Sequence, residues 1–280
     1  MLQNKHKVAI LLSTYNGERY LPELFDSLMA QSYEDFTVYV RDDGSTDSTR
    51  MLISKYQEQD SRIVYIDDNL HFGPTQTFLH LLSKVDSNYY MLCDQDDVWL
   101  EEKIAITLRE MQTLEGMYPE KPILVYTDVT VTDGDLNVVA PSMWAYSHMN
   151  VDLPTSFNYI CVYNNISGCT SMLNKKARDS VRLDGIVLPR KIYHDWWIAI
   201  CISKVGGIIE PIKQSTMLFR RHGDNETNVG TSNPSIIAKI GRFKGSINNI
   251  YQRYSFFKNL GYGSFLKYLY YKTIVSLKTR

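Results

Sequence analysis

Asp94, Asp96 and Asp97 crowd together in YYMLCDQDDVW, behind an apolar run and just ahead of Trp99. Carboxylates this close repel one another and raise each other's pKa unless a cation sits among them. Asp-x-Asp at the end of a strand sets hard oxygen donors where they can hold Mg2+ or Mn2+, and a metal so held can grip a diphosphate. A plainer reading is the start of a helix ahead of VWLEEKIAITL, where acids offset the dipole and cap free amides. That accounts for one carboxylate, Asp97 by default, and poorly for all of them.

The elements that must position this cluster follow from periodicity. KVAILLST reads as a buried strand, and Leu21, Leu24, Phe25, Leu28 and Met29 then recur at helical spacing, with Pro22 tolerated in a first turn. FTVYVRDD alternates apolar and polar residues and ends in acids, and STDSTRMLISKYQEQ opens with cap-forming residues and continues as an amphipathic helix. RIVYI, TQTFLHLLSKV and YYMLC supply a third strand, a third helix and a fourth strand. Such alternation gives an α/β fold with a mostly parallel sheet covered on both faces, whose ligands bind at the carboxyl ends of the strands. Ser13-Thr14-Tyr15-Asn16, Arg41-Asp42-Asp43 and Asp94-Gln95-Asp96-Asp97 would all meet on that rim. Beyond EKIAITLREMQTL the alternation loosens. A strand, a weakly periodic stretch over 136–160, a Gly-containing turn and the helix HDWWIAICISKVG follow.

Composition bounds the rest. The 280 residues are 44% hydrophobic and 22% charged, as in a globular chain. Cys93, Cys161, Cys169 and Cys201 show no zinc spacing and read as buried free thiols of a reducing cytoplasm. Val8–Leu12 is too short an apolar run for a signal peptide, and no run approaches a membrane span. The net charge of −1 hides a division: residues 1–234 carry 21 basic against 31 acidic groups, while 235–280 carry nine Lys or Arg, ten Phe or Tyr and no acid. The expectation is a cytoplasmic protein with a helical tail that has its own partner, either the acidic body or an anionic surface.

Two known families share features with these residues. DQDDV fits DxDx[TV], the nucleophile loop of haloacid dehalogenase-like phosphatases, which would make Asp94 a nucleophile and Asp96 an acid/base; that loop normally follows a first strand, whereas strand–helix units precede it here. STYNGERYLPELFDSLMAQSY, VRDDGSTDST, LCDQDDVW, SGCTSMLN, HDWW and FRRHGDN, in that order, resemble the inverting glycosyltransferases of family 2, with the GT-A fold. Within that family the pattern is most similar to bacterial rhamnosyltransferases and related cell-surface polysaccharide enzymes.

The resemblance implies a GT-A domain over 1–234, with a nucleotide-sugar half over 1–115 and an acceptor and catalytic half over 116–234, followed by the basic aromatic tail over 235–280. It implies a divalent metal, Mg2+ or Mn2+, on Asp94 and Asp96, with His222 as a further contact; a lone His is otherwise most often a surface hydrogen-bonding residue. Thr14, Tyr15, Asn16 and Asp42 would frame the base and ribose of a dTDP-rhamnose or UDP-hexose donor. An Asp can accept the imide N–H of a pyrimidine. Asp43 reads instead as a turn and cap residue. Asp94 and Gly168 would lie at the diphosphate and sugar, although Gly168 fits a tight turn equally well. Asp195 would be the catalytic base, and otherwise an N-cap. Trp196 and Trp197 could stack on a sugar face, although core packing suits at least one of them better. The acceptor implied is a saccharide, often lipid-linked, so the tail would hold the enzyme peripherally on the inner face of the cell membrane. Nucleic acid ranks lower because the body is acidic. A non-catalytic sugar-nucleotide-binding module is the remaining alternative.

Overall fold

The computed structural model describes residues 2–3, 7–68, 70–183, 185–189, 191–222 and 250–279. The boundary expected at 234/235 and the first part of the tail lie outside the described residues. Strands β1 (Val8–Thr14), β2 (Phe36–Asp42), β3 (Ile63–Tyr65) and β4 (Tyr89–Cys93) pair in parallel, with β1 between β2 and β4. The sheet continues through β5 (Val98–Trp99), β6 (Ile123–Thr132), β7 (Val138–Ala140), β8 (Ser171–Asn174) and β9 (Ile208–Arg220). The strand order is β3-β2-β1-β4-β8-β6-β9-β5, with β7 beside β6; β8 runs antiparallel to both its neighbours, and β6 and β9 are parallel.

Successive side chains of β1 point to opposite faces and feed two cores. Val8, Ile10 and Leu12 pack with helices α1 (Leu21–Met29), α2 (Thr49–Gln59) and α4 (Lys103–Met117). Ala9 and Leu11 pack with α3 (Pro74–Lys84), with Ala177 of α7 (Lys175–Ser180) and with α8 (His194–Lys204). Two one-turn helices, α5 (Met143–Tyr146) and α6 (Phe157–Ile160), occupy the weakly periodic stretch.

All residues of strand β2 are buried, as the sheet covered on both faces requires. Thr37, Tyr39 and Arg41 face the α3 side rather than solvent, and Arg41 is fully buried because its charge is met there. Its guanidinium donates to Asp43 at 2.8 Å, to Asp68 at 2.9 Å and to the Leu70 carbonyl at 2.6 Å, and lies 4.6 Å from the Phe72 ring centroid. A buried cation is tolerated when it is paired and hydrogen-bonded in this way.

The tail is docked. A helix over 250–259 (α9) and α10 (Phe265–Lys278) bury Tyr254, Phe257, Tyr262, Tyr268 and Val275 in the same core as α8. Phe257 meets Trp196 at 6.4 Å between centroids, Phe256 meets Trp197 at 5.9 Å, and the Tyr262 hydroxyl donates to the Asn158 carbonyl at 3.0 Å. Both tryptophans are buried and donate their indole N–H to backbone carbonyls, so they are core residues, as the packing reading held. All the cysteines are buried and free. Among the described residues no helix is long and apolar enough to cross a membrane.

Candidate active site

Register places the polar strand ends on one rim. Thr14 lies opposite Asp42 and Leu12 opposite Cys93, so the loops that follow β1, β2 and β4 leave the sheet at the same edge.

The loop after β1 is braced from below. Thr14 is buried and its hydroxyl donates to Asp42 at 3.1 Å. Asn16 takes the left-handed conformation, φ 48°, which asparagine tolerates better than most residues. Its amide donates to Ser45 Oγ at 2.8 Å and its side-chain oxygen accepts from the Thr46 amide at 2.9 Å. Tyr15 is the exposed member, at 56%. Asp42 is buried, and its carboxylate accepts from the amides of Gly44 and Ser45, the hydroxyls of Thr14 and Ser45, and Arg50 Nε at 2.7 Å. Those donors hold its carboxyl below the usual carboxylate range against the opposing effect of burial. Asp42 therefore organises the turn that Asp43 was expected to shape. Asp43 reaches the other way, accepting from Arg41 and from the Phe72 and Gly73 amides at 2.8 and 2.7 Å, and so ties the β2 turn to the start of α3.

The acid cluster splits by depth. Asp94 and Asp96 are partly exposed, while Asp97 is buried. Asp97 accepts from the Arg220 amide at 3.3 Å, and burial together with Asp96 and Asp94 beside it holds its carboxyl well above the ordinary range. Helix α4 does not begin until Lys103, so Asp97 belongs to the β9 contact rather than to a helix start. Asp96 Oδ2 lies 2.7 Å from His222 Nε2, 126 residues away in sequence, and the His222 ring lies tilted against Tyr20 with centroids 4.8 Å apart. Ligand atoms of Asp94, Asp97 and Cys169 lie within 4.8 Å of one another.

The third part is the turn at Gly168–Thr170, a single 3-10 turn leading into β8. Gly168 passes so close to α8 that a Cβ placed on it would stand 2.5 Å from His194 Nε2. His194 stacks on Phe78 at 4.2 Å, and burial pushes its imidazole down to about 3, leaving it neutral. Asp195 sits in the first turn of α8 with Tyr193 as the N-cap; its carboxylate accepts the Trp196 amide at 2.5 Å and the Gly168 amide. Burial raises Asp195 to about 6 despite these donors. One short turn thus touches both halves of the site: Cys169 meets Asp94 and Asp97, and Gly168 meets His194 and Asp195.

Sequence reasoning passed over several residues that hold this arrangement. Gln95, between the outer acids, pairs with the Tyr15 backbone in both directions, accepting from its amide at 2.8 Å and donating to its carbonyl at 2.9 Å. Arg220 donates to the Asp96 carbonyl at 3.0 Å, to the Gly134 carbonyl at 2.7 Å and to Glu23, and lies over Tyr20. Lys103 is fully buried against Trp99 and Thr216, and desolvation lowers it to about 8. Their only advance signal was adjacency to the motifs: Gln95 inside DQDD, Arg220 inside FRRHGDN.

Sheet order and rim are those of a GT-A fold. Residues 9–118 match the family model Glycosyl transferase family 2. It is 25% identical over 241 residues to the dTDP-rhamnosyl transferase RfbG of Shigella flexneri, covering 82% of this chain and 78% of that protein. It is 27% identical over 125 residues to the Escherichia coli UDP-Glc:alpha-D-GlcNAc-diphosphoundecaprenol beta-1,3-glucosyltransferase WfaP, spanning 49% of that protein. The fold is similar to S. aureus TarS 1-349 in complex with UDP-GlcNAc, with a TM-score of 0.55 at 16% identity over 87% of this chain and 66% of that one. It is also similar to the mannosyltransferase PcManGT of Pyrobaculum calidifontis in complex with GDP-Man and Mn2+, with a TM-score of 0.56 at 15% identity, covering 78% of this chain and 59% of that one.

Proposed function

We propose that this glycosyltransferase moves a sugar from a nucleoside diphosphate donor, dTDP-rhamnose or a UDP-hexose, to a saccharide hydroxyl with inversion, during synthesis of a cell-surface polysaccharide. The observation that carries the reading is the Gly168–Cys169 turn, which links the strand-end carboxylates to Asp195. The names of RfbG and WfaP support the donor classes, and WfaP's supports a lipid-linked saccharide as acceptor.

The residues fit a hard divalent cation. Asp94 and Asp96 offer carboxylate oxygens at the end of β4, and the His222 imidazole stands against Asp96. A divalent cation held there, Mg2+ or Mn2+, would supply Lewis-acid neutralisation of the leaving diphosphate. Tyr15, exposed on the rim, presents a ring to the donor base, while Thr14, Asn16 and Asp42 fix the backbone around it.

Asp195 takes the acceptor hydroxyl's proton as that oxygen attacks the anomeric carbon opposite the diphosphate. The proton ends on the carboxylate. The Trp196 and Gly168 amides hold the Asp195 carboxylate oxygens in place, and a carboxyl near 6 is a stronger base than an ordinary one while still ionised at neutral pH.

The test is release of nucleoside diphosphate from dTDP-rhamnose, UDP-glucose, UDP-galactose and UDP-N-acetylglucosamine, each with and without chelator. Metal-dependent turnover of one donor supports the reading. Turnover of a phosphomonoester and of no nucleotide sugar would return Asp94 to the phosphatase role, and nucleotide binding without turnover would leave a binding module.

A further inference from the structure

Helix α10 is apolar on two opposite faces, and the body covers only one of them. Tyr268 and Val275, a heptad apart, are buried against the α6 and α8 side of the core. Leu266, Tyr270, Thr273 and Leu277 recur at i, i+4, i+7 and i+11, a single stripe on the opposite side of the cylinder. That stripe is open: Leu266 is 78% exposed, Tyr270 62% and Leu277 68%. The exposed Lys267 and Lys278 flank it, and the exposed Lys258 closes the preceding helix α9.

We infer that this outward stripe of α10 is a lipid-binding surface for an anionic bilayer. The helix is held from behind by aromatic packing, by the Tyr262 hydroxyl on the Asn158 carbonyl and by the Asn150 side-chain amide on the Lys278 carbonyl. It is therefore a rigid platform that needs no ordering on contact. Leu266 and Leu277 stand about 16 Å apart along the axis, and α10 does not meet the length and apolarity of a membrane span, so it lies along a surface.

Charge selects the occupant. No Asp or Glu occurs from 235 to 280, against nine Lys or Arg. Apolar side chains edged by Lys267 and Lys278, with no acid in the tail, match an anionic headgroup layer over an apolar interior. A second copy would bring its own cationic stripe against this one. Docking of the tail and lipid binding are thus compatible, since they use opposite faces of one helix. This inference rests on the tail alone and stands apart from the donor and metal assignments.

Flotation of the full chain with vesicles tests it, using phosphatidylcholine alone and an equal mixture of phosphatidylcholine and phosphatidylglycerol. The chain should float with the anionic vesicles, release as salt rises, and bind the neutral ones weakly. Leu266→Gln with Leu277→Gln, which removes apolar surface at constant charge, should weaken anionic binding about tenfold or more. Met51→Gln, at an equally open apolar position on α2 (67% exposed), should leave it unchanged. Thermal melts should agree among all of them, since no buried contact is altered. Failure of the full chain to bind anionic vesicles, or equal binding by the double variant, overturns the inference. So does a self-association in sedimentation that the double variant abolishes while vesicle binding is untouched.

Discussion

The Gln95 side chain is hydrogen-bonded to the Tyr15 backbone through both of its polar atoms, at 2.8 and 2.9 Å, in the way a neighbouring strand would be. It sits between Asp94 and Asp96, so the carboxylate loop and the nucleotide loop are stitched together at their tips. A Cβ on Gly17 would stand 2.4 Å from Gln95 Oε1, so a side chain there would displace the Gln95 amide from the Tyr15 backbone.

Gln95→Ala should therefore weaken nucleotide binding by up to about thirtyfold, from two net hydrogen bonds of about 1 kcal/mol each. Gln95→Glu should weaken it at least as much, because a carboxylate accepts from the Tyr15 amide but meets the Tyr15 carbonyl with no donor. Titration calorimetry with the donor nucleotide reads both. Wild-type affinity in Gln95→Glu would show that the stitch is incidental.

Gly168→Ala should lower turnover while leaving the fold intact. The added methyl meets the His194 ring, which is stacked on Phe78 and cannot swing away freely. Overpacking of this kind costs about 1–3 kcal/mol, and here it is relieved by moving the turn whose amide holds Asp195. A loss of kcat larger than the loss of thermal stability implies is the expected pattern.

The pH dependence follows from Asp195 and His194, with opposite signs. Asp195 must be ionised to act, so kcat should fall on the acid side of about pH 6. Its folded pKa lies above that of the unfolded chain, so the native state binds the extra proton between about pH 3.9 and 6. Stability from this group therefore decreases as pH rises through that window. Asp195→Asn should be at least as stable as wild type at neutral pH. His194 is depressed to about 3, so the unfolded chain takes up its proton first. Its contribution is full above about pH 6.5 and is lost as pH falls. Melts of His194→Gln between pH 7.5 and 5 should show a smaller acid loss than wild type; an equal loss would assign acid lability elsewhere.

Asp96→Asn should abolish metal-dependent nucleotide binding, and His222→Ala should weaken it less. Removing a charge from a crowded carboxylate cluster relieves repulsion when no cation is present, so Asp96→Asn should melt no lower than wild type in chelator. Undiminished activity of wild type in chelator, or of Asp96→Asn in metal, would remove the cation from the account.

The parallel core was legible because strand and helix periods alternate cleanly through Cys93, and the rim followed from which strands end in polar residues. Three things were hidden, each for a physical reason. Alternation in FTVYVRDD could not show how the buried Arg41 is satisfied, because its partner Asp68 is brought near only by folding. That Asp42 rather than Asp43 holds the β2 turn is a matter of which way adjacent side chains leave the strand end. The tail's charge pattern suggested alternatives, the body or an anionic surface. Only the helical phase of Tyr268 and Val275 against Leu266 and Leu277 shows that one helix can meet both.

In the proposed mechanism a fixed carboxylate at the start of α8 removes the acceptor's proton at a site that binds its donor elsewhere. The most direct measurement pairs donor affinity with single-turnover transfer in Asp195→Asn. The account predicts a donor Kd close to that of wild type and a transfer rate lower by about two to four decades, the usual worth of a positioned general base. Transfer within a few-fold of wild type, or retention of configuration at the anomeric carbon, would contradict it.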